Sequence, residues 1–395
     1  MVIGRRMAGP ALLAAAALLL AAAPAQAADC KALTNPLYVA GSSAVKPLLV
    51  QLGTALAKAN PPVTLVYQSQ GSCTGVAAIV DKTTIKGTGT HWSPSASGDQ
   101  TCDLDLAGTK VDVGVSDVFA ESCPGVTKPA SVGDFFGPVQ VMTFVVPAAS
   151  SQTSISAEAA YLTFGLGLNG AASPWTDEAQ TFCRSETSGT QQMLAKAIGV
   201  PANKWSFCSS QKGSGDVLSA VAASTSPEKA IGILAADVAD GNRDKVKRLA
   251  LQSYGQTCGF WPDSSPTAFD KASVRDGHYN AWGPLHFLTD VGADAKPTNA
   301  LAAQVIGYFT GDTEPPADID LLALEAKAYT VPPCAMHVRR DSEIGPLMSV
   351  APAKACGCAF ESKLGTPSAS CQACTADSAC PSATPHCNFG FCEAS

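Results

Sequence analysis

Four short stretches of glycine and small hydroxyl residues carry most of the chemistry that the sequence offers. The fullest, residues 184–190, reads Arg-Ser-Glu-Thr-Ser-Gly-Thr and runs directly into apolar residues with helical spacing. Thr187 or Ser188 can cap that helix, so unpaired backbone N–H groups, hydroxyls and one arginine would meet at one point. This combination predicts an anion-binding site, although an ordinary capped helix with a surface Arg184–Glu186 pair would have the same sequence.

The same residue types recur three times upstream. Residues 41–44, Gly-Ser-Ser-Ala, follow a short apolar strand and open a helix, with Ser43 as the expected N-cap. Residues 71–75, Gly-Ser-Cys-Thr-Gly, have the same setting, and residues 113–117 end a further strand at Asp117. Because one motif alone is weak, the repetition is what favours the anion site over an ordinary capped helix.

Strands and helices must alternate to position these stretches. Apolar runs typical of strands occur at residues 37–40, 63–68, 111–116, 139–146, 231–234 and 278–289. Helical spacing occurs at residues 45–58, 76–80, 157–164, 235–239 and 300–309. This alternation predicts an α/β fold with mainly parallel sheets, in which ligands lie at the carboxyl ends of strands. Residues 82–110 lack periodicity and are rich in Thr, Gly and Ser, so we expect a loop insertion there.

Residues 1–27 have the pattern of a secretory signal peptide, with Arg5 and Arg6, an apolar run at 11–23 and small residues at 25–27. An uncleaved anchor is the alternative. We expect a mature chain that starts at Ala28, spans no membrane, and works in the periplasm or at the cell surface. In an oxidising compartment the 15 cysteines predict disulfides before metal sites, and their odd number leaves one unpaired.

Length and charge limit the function further. A chain of 395 residues with 46% hydrophobic residues is long enough for two domains with full cores and a small appendage. The formal net charge is −7, and loss of the two leader arginines would make it more negative. A diffuse basic surface for nucleic acid is therefore not expected. Local dipoles and a single arginine must hold any anion.

The C-terminal segment, residues 350–395, differs in composition from the rest. It carries seven cysteines with Pro, Ser and Ala between them, which predicts a small disulfide module whose partner the sequence does not indicate. Cys371 and Cys374 form one Cys-x-x-Cys pair, as in a zinc site, but the segment has no second pair with matching spacing. Disulfides are therefore favoured over a metal site. Upstream, Cys183 and Cys208 bracket the anion-binding helix, and we expect them to pair.

Taken together, residues 35–345 resemble the periplasmic phosphate-binding proteins of phosphate ABC importers, which have the type II solute-binding fold. The resemblance implies two lobes joined by a hinge. Lobe 1 would comprise residues 28–148 and 256–349, and lobe 2 residues 149–255, with the Cys-rich module at 350–395. The chain departs from the family in the 82–110 insertion, the extra cysteines and this module.

The resemblance also implies a set of phosphate ligands, with no metal and no cofactor. They are Ser43 and Ala44 in the first loop, Ser72 in the second, Asp117 at its strand end, and Arg184, Ser188, Gly189 and Thr190 in the fourth stretch. Glu186 stands where the family has an acid beside its arginine, and we expect it to hold Arg184 as a planar fork.

The function expected from this resemblance is capture of inorganic phosphate and its delivery to the permease of an ABC importer. A binding protein for sulfate or molybdate is one alternative. A secreted phosphate-scavenging or surface-interaction protein is another. Phosphatase-like hydrolysis is the least favoured, because no nucleophile–base pair stands out and a second acid/base residue is lacking. We therefore predict a binding protein and no enzyme.

Overall fold

The computed structural model describes residues 1–2, 4, 28–170, 172–365 and 367–394. Apart from residues 1, 2 and 4, the predicted signal peptide at 1–27 lies outside the described residues. Within those residues, none of the helices combines the length and the apolar character needed to cross a membrane.

Most strands are short and alternate with helices. The strands are β1 Ala28–Asp29, β2 Pro36–Gly41, β3 Thr64–Ser69, β4 Thr84–Ile85, β5 Thr88–His91, β6 Gln100–Asp103, β7 Thr109–Lys110, β8 Val113–Ser116, β9 Val132–Pro147, β10 Ser154–Ser156, β11 Thr181–Cys183, β12 Ser209–Ser210, β13 Ile231–Ala235, β14 Val246–Arg248, β15 Ala250–Gln252, β16 Trp282–Asp290, β17 Val338–Arg339, β18 Met348–Ser349, β19 His386–Asn388 and β20 Phe391–Glu393. The α-helices are α1 Lys46–Leu56, α2 Ser72–Val80, α3 Ala157–Tyr161, α4 Gly189–Ile198, α5 Ser214–Ala222, α6 Ala236–Asp240, α7 Ala272–Arg275, α8 Ala300–Thr310, α9 Leu321–Lys327 and α10 Gly357–Lys363.

A central sheet runs through both lobes in the order β1-β6-β5-β3-β2-β8-β16-β9-β13-β11-β12. In lobe 1, β2 lies parallel to β3 and β8, whereas β16 is antiparallel to β8 and β9. In lobe 2, β11 is parallel to β12 and β13. The predicted α/β class is confirmed, but the sheet is mixed and not mainly parallel, because β9 and β16 return in the opposite direction.

The strand β9 joins the two lobes. Residues 132–136 and 139–141 pair with β16, which lies in predicted lobe 1, and residues 142–145 pair with β13, which lies in predicted lobe 2. The strand spans 16 residues, twice the predicted run 139–146. Its apolar second half is buried on both faces, as expected for a strand covered by helices on either side.

Residues 82–110 form part of the sheet, so the prediction of a loop insertion is wrong. The strand β5 pairs with β3 and β6, and β6 pairs with β1. A disulfide between Cys30 and Cys102 fixes this edge. Trp92 is buried with its ring stacked 6.2 Å from that of Tyr67. Threonine favours strands, and pairing with a preformed edge supplies the order that the segment's weak periodicity does not indicate.

Seven disulfides cross-link the described residues, and Cys258 is a free, exposed thiol. The pairs are Cys30–Cys102, Cys73–Cys123, Cys183–Cys208, Cys334–Cys356, Cys358–Cys371, Cys374–Cys387 and Cys380–Cys392. The predicted Cys183–Cys208 pair and the disulfide-rich C-terminal segment are both confirmed. Three pairs lie within that segment, and Cys334–Cys356 ties it to the rest of the chain. Arg275, at 2.6 Å from Glu361, adds an ion pair across the same junction.

Candidate functional site

Parallel pairing of β2 and β8 brings two of the four stretches together. Gly41, the last residue of β2, lies opposite Val115, so Ser42 and Asp117 leave the sheet at the same edge. The helix α2 packs against this edge through Gly75, where a Cβ atom would lie 2.6 Å from the Ala40 carbonyl oxygen. That close approach places the first residue of α2, Ser72, beside Asp117.

Asp117 is the buried centre of this cluster, with no exposed surface. The Ser42 hydroxyl donates to its Oδ2 at 2.5 Å, and the Ser72 hydroxyl donates to the same oxygen at 3.1 Å. The other oxygen, Oδ1, is buried and has no hydrogen-bond partner in the described part of the chain. Burial raises the pKa of Asp117 to about 6. The carboxylate therefore keeps one acceptor position for a donor from outside the protein.

Arg184 approaches from lobe 2 and is 4% exposed. Its Nε donates to the Gln211 carbonyl at 3.1 Å, and its Nη2 donates to the Lys212 carbonyl at 3.0 Å. Its Nη1 donates to the Ser43 hydroxyl of lobe 1 at 2.9 Å. Burial lowers the pKa of the guanidinium, which nevertheless stays charged at neutral pH. Two backbone carbonyls thus orient the charged fork toward lobe 1.

The predicted role of Glu186 is wrong. Its side chain is exposed, and the hydrogen bonds that hold the Arg184 guanidinium come from the carbonyls of Gln211 and Lys212 and from serine hydroxyls. The residue contributes instead through its backbone, because its carbonyl accepts a hydrogen bond from Gln192 Nε2 at 2.5 Å.

The helix α4 begins against the Asp117 cluster, and Ser188 is its N-cap residue. A Cβ atom on Gly189 would lie 2.2 Å from the Ser72 hydroxyl and 2.8 Å from Asp117 Oδ2, so only glycine fits there. Ser188 and Thr190 are both buried beside it. The start of α4 thereby brings backbone N–H groups and the positive end of a helix dipole to the carboxylate.

The first loop differs in detail from the expectation. The helix α1 begins at Lys46 with Val45 as its N-cap, so Ser43 is not the cap. The Ala44 N–H donates to the Ser42 hydroxyl at 3.0 Å and is engaged within the loop. Ser43 instead points its hydroxyl at Arg184, across the two lobes.

No family model matches the sequence, and neither does any curated protein. Solved structures do match. A phosphate ABC transporter substrate-binding protein from Clostridium perfringens, with bound phosphate, has a TM-score of 0.53 and 14% identity, covering 75% of this chain and 99% of that chain. The chain has the fold of a substrate-binding protein. An ABC-type phosphate transport receptor from Vibrio cholerae follows, with a TM-score of 0.48, 13% identity and coverage of 75% of this chain and 100% of that chain. The OxyR regulatory domain from Pseudomonas aeruginosa has a TM-score of 0.37, 9% identity and coverage of 69% and 95%.

Within this substrate-binding fold, two buried acids near Asp117 bear on the charge of the site. Burial raises the pKa of Glu343 to about 7, and its Oε2 accepts a hydrogen bond from the Phe119 N–H at 3.2 Å. Burial also raises the pKa of Asp237 well above its usual range. Raised pKa values favour the neutral form of both groups, so their repulsion of an anion is reduced. Arg184 then supplies the positive charge of the site, opposite the ionised Asp117 carboxylate.

Two further serines belong to the site and are not among the predicted ligands. Ser42 lies in the same stretch as the predicted ligand Ser43 and donates to Asp117. Ser214 opens α5; its hydroxyl lies 3.0 Å from that of Ser43 and 3.4 Å from Arg184 Nη1. The signal was present, because Gly213-Ser214-Gly215 is a further glycine–serine turn before a helix.

Replacing Ser214 by alanine is expected to weaken binding of inorganic phosphate about fivefold, measured by calorimetry. The substitution removes one neutral hydroxyl, worth about 1 kcal/mol, from the group that orients Ser43 and Arg184. Ser219→Ala, at an exposed position of the same helix, is the matched control. A phosphate affinity equal in both variants would exclude Ser214 from the site.

Proposed function

We propose that this chain captures inorganic phosphate between its two lobes and delivers it to the permease of an ABC importer. The observation that carries the proposal is the buried carboxylate of Asp117, with its unpartnered Oδ1, in a site otherwise rich in donors. Hydroxyls, helix N-termini and a guanidinium all suit the oxygens of a tetrahedral anion. An ionised aspartate can only accept, so the ligand must bring a proton. Hydrogen phosphate does so.

The expected energetics agree with tight binding. Each hydrogen bond to a charged group contributes about 1.5–3 kcal/mol, so several of them can outweigh the cost of dehydrating the anion. Ser43 and Arg184 come from opposite lobes and already lie 2.9 Å apart. A phosphate that accepts hydrogen bonds from both groups would replace this direct contact as the link between the lobes, and its release would require the hinge opening that is common in periplasmic binding proteins.

The proposed ligand set is the one expected from the resemblance, with two additions. It comprises Ser43, Ala44, Ser72, Asp117, Arg184, Ser188, Gly189 and Thr190, with Ser42 and Ser214 added. Glu186, which was expected to hold Arg184 and not to bind the anion, has no role in the proposal. The N–H of Ala44 would have to leave the Ser42 hydroxyl to serve the anion. We place the protein in the periplasm or at the cell surface, because seven disulfides need an oxidising compartment.

A secreted phosphate-scavenging or surface-interaction protein is the second candidate. The covalently anchored Cys-rich segment favours it, because the fold's binding site does not require such a segment. Genes for a permease and an ATPase beside this one would support transport, and so would phosphate uptake that fails when the gene is deleted. Normal uptake in the deletion strain would favour the secreted protein.

The direct test is calorimetric titration of the mature chain with phosphate, arsenate, sulfate and molybdate at neutral pH. Phosphate and arsenate, which both carry a proton at this pH, are expected to bind. Sulfate and molybdate, which carry none, are not. Equal affinity for sulfate and phosphate would contradict the assignment of phosphate and the role of Asp117 together.

A further inference from the structure

Both halves of the anion site lie directly beside a disulfide. In lobe 1, Cys73 follows Ser72 in the first turn of α2 and is bonded to Cys123. In lobe 2, Cys183 precedes Arg184 and is bonded to Cys208. We call these two bonds the lobe 1 clamp and the lobe 2 clamp.

The lobe 1 clamp joins the two segments that carry Ser72 and Asp117. Cys123 ends the short 3₁₀ helix Ala120–Ser122, which follows Asp117 closely along the chain. The Ser72 hydroxyl accepts from the Asp117 N–H at 3.1 Å and donates to its carboxylate. Both cysteines are buried, so the cross-link lies inside lobe 1. Without it, hydrogen bonds and the packing of α2 against the sheet edge at Gly75 would hold the start of α2 beside Asp117, with no covalent link.

The lobe 2 clamp supports the groups that orient Arg184. The strand β12 has only two residues, both exposed, and pairs with β11 at two positions. Such a short edge pair is weak in water. Cys183–Cys208 cross-links it, and the carbonyls of Gln211 and Lys212, which hold the guanidinium, follow directly. The disulfide thus fixes the chain that supplies both carbonyls.

We propose that the two clamps are positioning elements of the anion site, so that its affinity depends on both bonds being formed. The inference rests on the proposed capture of phosphate. Binding is tightest when the donors are already held where the ligand needs them, since ordering them on binding costs free energy. The other described disulfides lie at the β1–β6 edge or in and beside the C-terminal segment, where no ligand group of the site is attached.

The test compares four variants of the full mature chain by phosphate calorimetry. Two remove the clamps, Cys73→Ala/Cys123→Ala and Cys183→Ala/Cys208→Ala, and a third combines them. The matched control is Cys30→Ala/Cys102→Ala, which opens a longer loop of lobe 1 away from the site. Each clamp variant is expected to raise the dissociation constant for phosphate about tenfold. The combined variant should raise it about a hundredfold, because the clamps lie in different lobes and their effects on the binding free energy should add. The control should lose thermal stability but keep its affinity within about twofold.

Circular dichroism and the unfolding midpoint establish that each variant is folded under the assay conditions. A pair that does not fold is replaced by its Ala/Val version, which refills space left by the sulfur atoms. Clamp variants that bind phosphate as tightly as the parent chain would overturn the proposal. A control variant whose phosphate affinity falls as much as that of the clamp variants would also overturn it. If the parent binds sulfate and not phosphate, the proposed function fails, and the same comparison with sulfate still decides the role of the clamps. A parent that binds none of the anions overturns both.

Discussion

Replacing Arg184 by alanine is expected to weaken phosphate binding at least a hundredfold. Arg184 is 4% exposed, and its guanidinium supplies the charge that the proposed anion meets. Removing one partner of a buried charge pair costs about 2–5 kcal/mol, and a hundredfold corresponds to about 2.8 kcal/mol. Calorimetry on the folded variant measures the change directly.

Two further substitutions make this result specific. Arg184→Lys keeps the charge but cannot form the planar fork that bonds Gln211, Lys212 and Ser43 together, so a loss of at least tenfold is expected. Glu186→Gln is the control, because this exposed side chain does not hold the guanidinium. Unchanged affinity in both Arg184 variants would place the anion elsewhere. A large loss in Glu186→Gln would restore the role that the structure removes.

Asp117 is expected to produce the largest effect of all, a preference for phosphate over sulfate of roughly ten-thousandfold. Sulfate would present an oxygen with no hydrogen to the buried carboxylate, and two acceptors would face each other unpaired. Asp117→Asn can donate from its amide, so the variant should bind sulfate better and phosphate worse. An unchanged ratio of the two dissociation constants in this variant would show that Asp117 does not select the ligand.

The same carboxylate predicts how sulfate binding depends on pH. Burial raises the pKa of Asp117 to about 6, so the group is ionised above this pH and protonated below it. The protonated form has a hydroxyl that donates to a sulfate oxygen. Sulfate affinity should therefore rise as pH falls through about 6, by up to about tenfold per pH unit. Sulfate itself does not titrate in this range. Asp117→Asn, whose amide cannot titrate, should lose the steep part of the dependence near pH 6 and keep only the weaker effect of Glu343, whose pKa is about 7.

Residue periodicity predicted the buried apolar strands well. It predicted poorly the less apolar strands, namely the first half of β9 and the strands within residues 82–110. The apolar run 139–146 is found in β9, but residues 132–138 include Gly133, Asp134 and Gly137 and do not resemble a strand. They become one because β16 lies alongside them. Pairing of this kind is tertiary, and the local sequence does not encode it. The same reason explains the strands within residues 82–110, whereas the lobe boundaries at 148 and 255 stay a prediction.

The sequence predicted those parts of the candidate site in which side chains supply the polar groups. Glycine–serine turns, the strand-end Asp117 and the single Arg184 all stand out by residue type, and the structure brings them together. The orientation of Arg184 was not predictable, because backbone carbonyls supply it and every residue has one. Judged from side chains alone, the acidic neighbour Glu186 was the natural candidate for the group that orients the Arg184 guanidinium. Ser214 was detectable, since its turn repeats the pattern of the other four.

The disulfide between Cys334 and Cys356 gives the Cys-rich segment a second attachment to the body of the protein. A protease that nicks the polypeptide between these two cysteines would produce two fragments that stay together. The exposed residues between them, such as Pro346, Leu347, Ala353 and Lys354, are places where the chain could be cut without shedding the segment. Whatever the segment displays at its outer surface, the protein would keep it in a protease-rich environment. Release would require cleavage just beyond Cys356, or reduction of the Cys334–Cys356 disulfide after a nick between these two cysteines.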